Sequence, residues 1–191
     1  MYRIRSVKPP TTPGIFISKL KTRTLRKGQL ADLEELRQLF ADTISTICRS
    51  DYNNEQIHVW ASGIEDKDRW HRILTSQQVW VTQNNEKITG FCTLDKGHHI
   101  DLLFVHKDYQ RQGIARELYN KIEKEAIQRG QSELTVNASI TARPFFEKAG
   151  FEVLTKQKVI KQGIELTNYK MKKQLDKTKI PNNSYEGISR K

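Results

Sequence analysis

Two hydrophobic rhythms run along the chain, and the change from one to the other outlines its architecture. In "LADLEELRQLFADTISTI", Leu30, Leu33, Leu36, Phe40, Ile44 and Ile47 recur every three or four residues, the spacing of an amphipathic helix. "NNEQIHVWASG" and "KDRWHRILTS" continue as a second, shorter helical region. The rhythm then changes: "QVWVTQ" predicts a strand, "NNEK" a turn and "ITGFCTLD" its antiparallel partner. A "KG" turn leads into "HHIDLLFV", a third strand. Helical spacing returns in "GIARELYNKIEKEAIQR", with Ile114, Leu118, Ile122 and Ala126 on one stripe and Gly130 as its stop. "SELTVNA" predicts a strand and "ARPFFEKAG" a short helix ending in Gly. "FEVLTKQKVI" and "IELTNYKMKK" close a hairpin around "KQG". At the front, the alternation of "KTRTLR" adds one more strand. The expected fold class is α/β (α+β): a mixed, mostly antiparallel sheet of about seven strands with helices on its faces. One right-handed crossover is expected, from strand 98–105 through helix 113–129 to strand 132–138.

Composition changes this picture mainly at the ends. The net charge of +11 invites a nucleic-acid reading. Residues 1–28, however, hold eight Lys or Arg and no acid, and residues 173–191 hold five against two acids. Residues 29–172 are left with twenty of each sign. The chain therefore divides into a basic irregular extension at 1–20, containing "PPTTPG", a domain at 21–175 whose bulk is neutral over 29–172, and a polar tail at 176–191. Basic ends attract polyanions weakly and without reading sequence. A targeting role for the extension is the minor reading, since it lacks a secretory apolar core. No apolar run approaches the roughly 20 residues of a membrane helix. Cys48 and Cys92 are far apart and lack a metal-ligand pattern, which points to a reducing compartment and a cytoplasmic protein, monomeric or homodimeric. "NNS" at 182–184 fits a glycosylation acceptor, but nothing else points to secretion.

The candidate chemistry begins where the strand "HHIDLLFV" gives way to "QRQGIA". A helix N-terminus offers unpaired N–H groups and the positive end of its dipole. Gly113 allows an anion close to the backbone, and Arg111 and Arg116 add positive charge. The segment reads as a phosphate cradle or as an ordinary strand-to-helix loop. In the preceding strand, simple alternation places His99, Asp101, Leu103 and Val105 on one face, and Ile100, Leu102 and Phe104 on the other. Adjacent His98 and His99 then point apart, so no metal site is expected.

Taken with its flanks, "LLFVHKDYQRQGIARELY" resembles the central motif of the GCN5-related N-acetyltransferases, whose signature is Q/R-x-x-G-x-G/A. Here that is Gln110, Arg111, Gln112, Gly113, Ile114 and Ala115. "ADLEELRQLF", "GFCTLD", "NASITARPFFEKAGF" and "GIELTNYKMKKQL" are similar to the family's other segments, the last to a bacterial branch, so the likeness spans roughly residues 22–175. The resemblance implies acetyl-coenzyme A as donor and a primary amine, on a small molecule or a protein, as acceptor. Its pyrophosphate would sit on the N–H groups of Gln112, Gly113, Ile114 and Ala115, beside Arg111 and Arg116. The pantetheine arm would pair with Leu103, Phe104 and Val105 where two strands splay apart, with Asn137, Ser139 and Phe146 nearby. A main-chain N–H of Phe104 or Val105 would hold the thioester oxygen. His99 or Asp101 would take the amine's proton, and Asp51, Tyr52, Gln56 and Trp60 would line the acceptor pocket. The sequence departs from the family at Phe146, which stands where a Tyr usually serves as general acid; water or Tyr169 is left to protonate the thiol. Two alternatives stand beside this reading: a coenzyme A-binding module without catalysis, and a tRNA-directed, toxin-like transferase.

Overall fold

Fifteen residues of continuous amphipathic spacing are enough for four helical turns, and two such helices frame the molecule from opposite sides. The computed structural model describes residues 23–176 and 178. The elements are β1 (Arg23–Lys27), α1 (Leu33–Ile47), α2 (Asn54–Ala61), α3 (Lys67–Ser76), β2 (Gln78–Asn84), β3 (Lys87–Asp95), β4 (His99–Val105), α4 (Ile114–Gln128), β5 (Glu133–Ser139), α5 (Arg143–Lys148), β6 (Glu152–Lys161) and β7 (Ile164–Gln174). This is the order expected from the sequence. The extension at 1–20 lies outside the described residues, as does the tail apart from Asp176 and Thr178.

The seven strands form one sheet in the order β1-β2-β3-β4-β5-β7-β6. Every neighbouring pair is antiparallel except β4 and β5, which are parallel and joined through α4. On one face, Leu36, Phe40 and Ile44 of α1 and Trp70 and Ile73 of α3 pack with Val81, Phe91 and Leu102 of the sheet. On the other, Ile114, Leu118, Ile122 and Ala126 of α4 meet Cys92, Leu94, Leu134 and Met171, with Phe146 and Phe151. Each large side chain removed from water in this way contributes about 2 kcal/mol before entropy is counted, so the α4 stripe anchors that helix firmly. The boundary between α2 and α3 arises from their caps. Asn53 and Gln56 form a reciprocal capping box at the start of α2. The Asp66 carboxylate accepts the Arg69 N–H at the start of α3.

Two irregularities in β4 shape the centre of the molecule. Leu102 is opposite Thr93 and Ile100 is opposite Leu94, so Asp101 is an extra residue, a β-bulge. The bulge breaks the alternation expected from the sequence. Ile100, Leu103 and Val105 face α4, whereas Leu102 and Phe104 face α1. His99 meets Thr135 and Asp101 meets Arg69 of α3, so both polar side chains lie on the α1–α3 side, with Leu102 and Phe104 rather than with Leu103 and Val105.

The second irregularity is the short pairing of β4 with β5. Only His99 with Thr135 and Ile100 with Val136 are in register, and beyond them the strands separate. The His106 N–H donates to Thr89 O at 2.9 Å. Antiparallel ladders alternate, so Phe104 also spends its main-chain groups on β3, and those of Leu103 and Val105 turn toward the opening.

Candidate active site

Two cavities occupy the wedge between β4 and β5. One, of about 540 Å³, lies between the start of α4, the end of β4 and α5. The other, of about 730 Å³, lies between α2–α3, the bulged part of β4 and the β5–β7–β6 side of the sheet. They share Trp60, Leu103, Phe104, Ser139 and Ala142, so they meet across the exposed edge of β4.

The smaller cavity is built for an anion with a long arm. Gly113 caps α4 with φ of 79°, a left-handed conformation that suits glycine. Glu117 is the first residue of α4 to bond back, to Gly113 O, which leaves the preceding N–H groups without intrahelical partners. A Cβ placed on Gly113 would meet nothing within 4 Å, so there is open space in front of this helix start. Arg111, Arg116 and Lys148 line the same cavity. The Arg116 guanidinium lies over the Phe145 ring, 5.6 Å from its centroid. The loop is braced from below: Gln110 Nε2 donates to Val105 O at 2.6 Å, and Thr43 Oγ1 donates to the same oxygen at 3.2 Å. Gln110 therefore holds the loop rather than offering its amide to a ligand. What remains free on β4 is its outward edge at Leu103 and the N–H of Val105. Cys48 also lines this cavity, but burial pushes its thiol up, which makes it a poor nucleophile.

The larger cavity carries the titratable groups. Arg69 Nη2 donates to both oxygens of Asp101, at 3.0 and 3.2 Å, and Gln77 Nε2 donates to one of them at 3.0 Å. Asp101 lies on the cavity wall; His99 does not. The His99 ring contacts Thr135 Oγ1 through Nδ1 at 2.8 Å, and burial holds its pKa below the usual range despite Asp101 and Asp95.

Several residues singled out from sequence have other duties. The Tyr52 hydroxyl donates to Thr167 O at 2.7 Å and accepts the Ile140 N–H at 2.9 Å. Burial pushes it up to about 12. Tyr52 thus lines the larger cavity with its ring while its hydroxyl ties the end of β5 to β7. Asp51 accepts from Thr141 Oγ1, Gln56 donates to Glu165 O, and neither reaches a cavity wall. Trp60 stacks edgewise on Tyr52 at 5.1 Å and lines both cavities. Asn137 faces only the larger cavity. Ser139 lines both, with its Oγ accepting the Ala142 N–H ahead of α5. Phe146 is 2% exposed and packs on Phe145 and Phe151; it touches the larger cavity, and Phe145 takes the place expected for it in the smaller one. Gln112 lies outside both walls, its carbonyl accepting from Arg23. Tyr169 lies off both walls with the Arg143 guanidinium over its ring, 4.5 Å from the centroid. Sequence reasoning missed Thr43, Arg69, Lys148, Lys161 and Asn168. For Thr43 there was a signal, a hydroxyl within the buried stripe of α1.

Removing only the Tyr52 hydroxyl leaves the half-buried Thr167 carbonyl and Ile140 N–H without this partner. Tyr52→Phe is therefore expected to lower stability by about 1–3 kcal/mol, read as a shift in the urea midpoint with unchanged slope. An unchanged midpoint would show that the two strands do not depend on this bridge.

A strand edge and a helix start open into one cavity, with a second cavity across the strand, and comparison with known proteins gives this arrangement its family. The family profile described as "Acetyltransferase (GNAT) domain" matches residues 48–173, and the chain belongs to this family. It is 37% identical over 148 residues to the N-acetyltransferase YafP of Escherichia coli K12, covering 78% of this chain and 93% of that protein. Among solved structures, a GCN5-related N-acetyltransferase from Rhodopseudomonas palustris superposes with a TM-score of 0.78 at 32% identity, covering 81% of this chain and 96% of that one. The PaiA N-acetyltransferase of Thermoplasma acidophilum, solved with coenzyme A, shares the fold with a TM-score of 0.65 at 18% identity, over 80% of this chain and 99% of its own. The protein is an acetyltransferase. No helix among the described residues is long and apolar enough to cross a membrane.

Proposed function

We propose that the protein transfers an acetyl group from acetyl-coenzyme A to a primary amine by direct attack in a ternary complex. The observation that carries this reading is the meeting of the two cavities at Leu103 and Phe104, directly on the open edge of β4. Acetyl-coenzyme A supplies an acetyl thioester, whose thiol, with a pKa of about 8.5 by analogy with Cys, leaves without a strong acid. The N–H groups at the start of α4, with Arg111, Arg116 and Lys148, hold the pyrophosphate. The outward edge of Leu103 pairs with the pantetheine amides, and the Val105 N–H stabilises negative charge on the acetyl oxygen.

On the acceptor side, an ionised carboxylate has about four lone-pair positions. Arg69 takes two of those on Asp101 and Gln77 a third, which leaves one facing the cavity. That position orients the amine and receives its proton, directly or through water. His99, on the same face and neutral at pH 7, is the next group along the proton's route. The test is thiol release from acetyl-coenzyme A with a panel of amines. Asp101→Asn is expected to lower kcat about a hundredfold with the acetyl-coenzyme A Kd unchanged. An unaltered kcat would remove Asp101 from the mechanism, and absence of turnover with every amine would reject the reading.

A further inference from the structure

The larger cavity contains a cation that no anion among the described residues pairs with at contact distance. Lys161, the last residue of β6, lines it beside Arg69, and its ammonium makes no hydrogen bond or ion pair among the described residues. Its Nζ lies 3.3 Å from where a Cβ on Gly63 would be, and Phe40 Cζ is equally close to that point. Gly63 therefore leaves the space that Lys161 fills, and the ammonium is turned into the protein toward Phe40. Phe40 in turn packs on Phe104, the wall between the two cavities, with ring centroids 5.0 Å apart.

The charges around Lys161 do not satisfy it. Arg69 is consumed by Asp101. Asp66 accepts the Arg69 N–H at the start of α3, and both Asp66 and Glu65 are exposed at the rim, where water screens them. Burial, and then Arg69, lower the pKa of Lys161, while Asp66 only partly opposes them. A lysine in this condition gains from any anion that reaches it. At the other end of the cavity is an unmatched acceptor: Asn168 Oδ1 is buried and has no hydrogen-bond partner among the described residues. Asn168 sits opposite Ser139, where the two cavities join. Lys161 is opposite Ile164, four residues before Asn168 on β7, which separates their backbones by about 13 Å along the strand.

We propose that the acceptor is a primary amine carrying a carboxylate several bonds away, with its carboxylate on Lys161 and its amine toward Asn168, where the two cavities join. The proposal rests on the transferase reading for the direction in which the amine points. The binding site itself does not. An ω-amino acid or a short peptide with a free C-terminus carries its two charged groups far enough apart to address both positions.

Calorimetry separates the two questions. Protein loaded with coenzyme A is titrated with β-alanine, γ-aminobutyrate and ε-aminocaproate, and with alkylamines of the same lengths, in two buffers of different ionisation heat near pH 9. The expected result is that affinity rises with length among the amino acids and exceeds that of the matching alkylamines at least tenfold. Proton uptake should accompany binding, because a bound carboxylate raises the lowered pKa of Lys161. Lys161→Met should abolish the preference. Lys161→Arg should keep it but lose the proton uptake, since a guanidinium is already protonated. That split distinguishes direct contact from a merely structural role. Equal affinity for amino acids and alkylamines, or an unchanged preference in Lys161→Met, overturns the proposal. Thiol release is read separately. Turnover without carboxylate preference leaves the transferase reading standing and rejects this one, and Lys161-dependent binding without turnover does the reverse.

Discussion

Gly113→Asp is expected to weaken acetyl-coenzyme A binding by about two to three orders of magnitude, through charge placed some 4 Å from a diphosphate in a partly dry site. The substitution is informative because the protein itself has little to lose. Nothing lies within 4 Å of a Cβ at this position, so no side chain has to move. The left-handed φ of 79° disfavours most residues, but Asp and Asn tolerate it better than others. The ligand-free variant should therefore melt within a few degrees of the parent, since roughly 1 kcal/mol of backbone strain amounts to only that in a domain of this size. Gly113→Asn separates shape from charge and should recover most of the lost affinity. Calorimetry with acetyl-coenzyme A provides the reading. An unchanged Kd for Gly113→Asp would mean that the start of α4 does not hold the pyrophosphate.

The second large effect concerns stability. Trp70 is fully buried between α1 and the sheet, with its ring 5.3 Å from Phe40 and 6.2 Å from Phe91. Its Nε1–H donates to Gly63 O at 2.9 Å, which fixes the turn between α2 and α3. Trp70→Ala removes the ring and leaves that carbonyl without its donor, at a combined cost of about 4–6 kcal/mol. Against a total stability of about 5–15 kcal/mol, this brings the fold close to its limit, and the melting temperature should fall by roughly 10–20 °C. Trp70→Phe should lose less than half of that. A small shift for Trp70→Ala would show that α3 contributes little to the core. Because Gly63 borders Lys161, the damaged variant should also lose acceptor binding before it loses coenzyme A binding.

Much of the fold was legible because burial here obeys simple periods. Ile114, Leu118, Ile122 and Ala126 were read as one stripe and are one stripe in the core. The helix start at Gly113 was equally plain, since a strand, a glycine and a helix in succession imply its position. What sequence could not display were contacts made at long range and choices among polar side chains. Tyr52 and Gln56 looked like cavity residues, yet each spends its polar group on the backbone of β7, more than a hundred positions away. Arg69 was hidden in the polar face of a short helix, and only its partner across the fold, Asp101, gives it meaning. Phe146 was expected near the cofactor; adjacent aromatic residues in "PFFEK" do not reveal which of the two turns inward. The faces of β4 were misassigned for the plainest reason: period-two counting assumes that no residue is supernumerary, and Asp101 is.

That supernumerary residue lets one strand serve two chambers. Upstream of it, alternate side chains keep one parity; downstream they keep the other. A single deletion in "HIDLLFV" would restore uniform counting, yet would bring a hydrophobic side chain to the place of the carboxylate that Arg69 and Gln77 now clasp. The sheet could survive such an event while the cavity would lose its carboxylate. Among divergent copies of this chain, loss of one codon here would mark descendants that have kept the architecture and given up that charged wall.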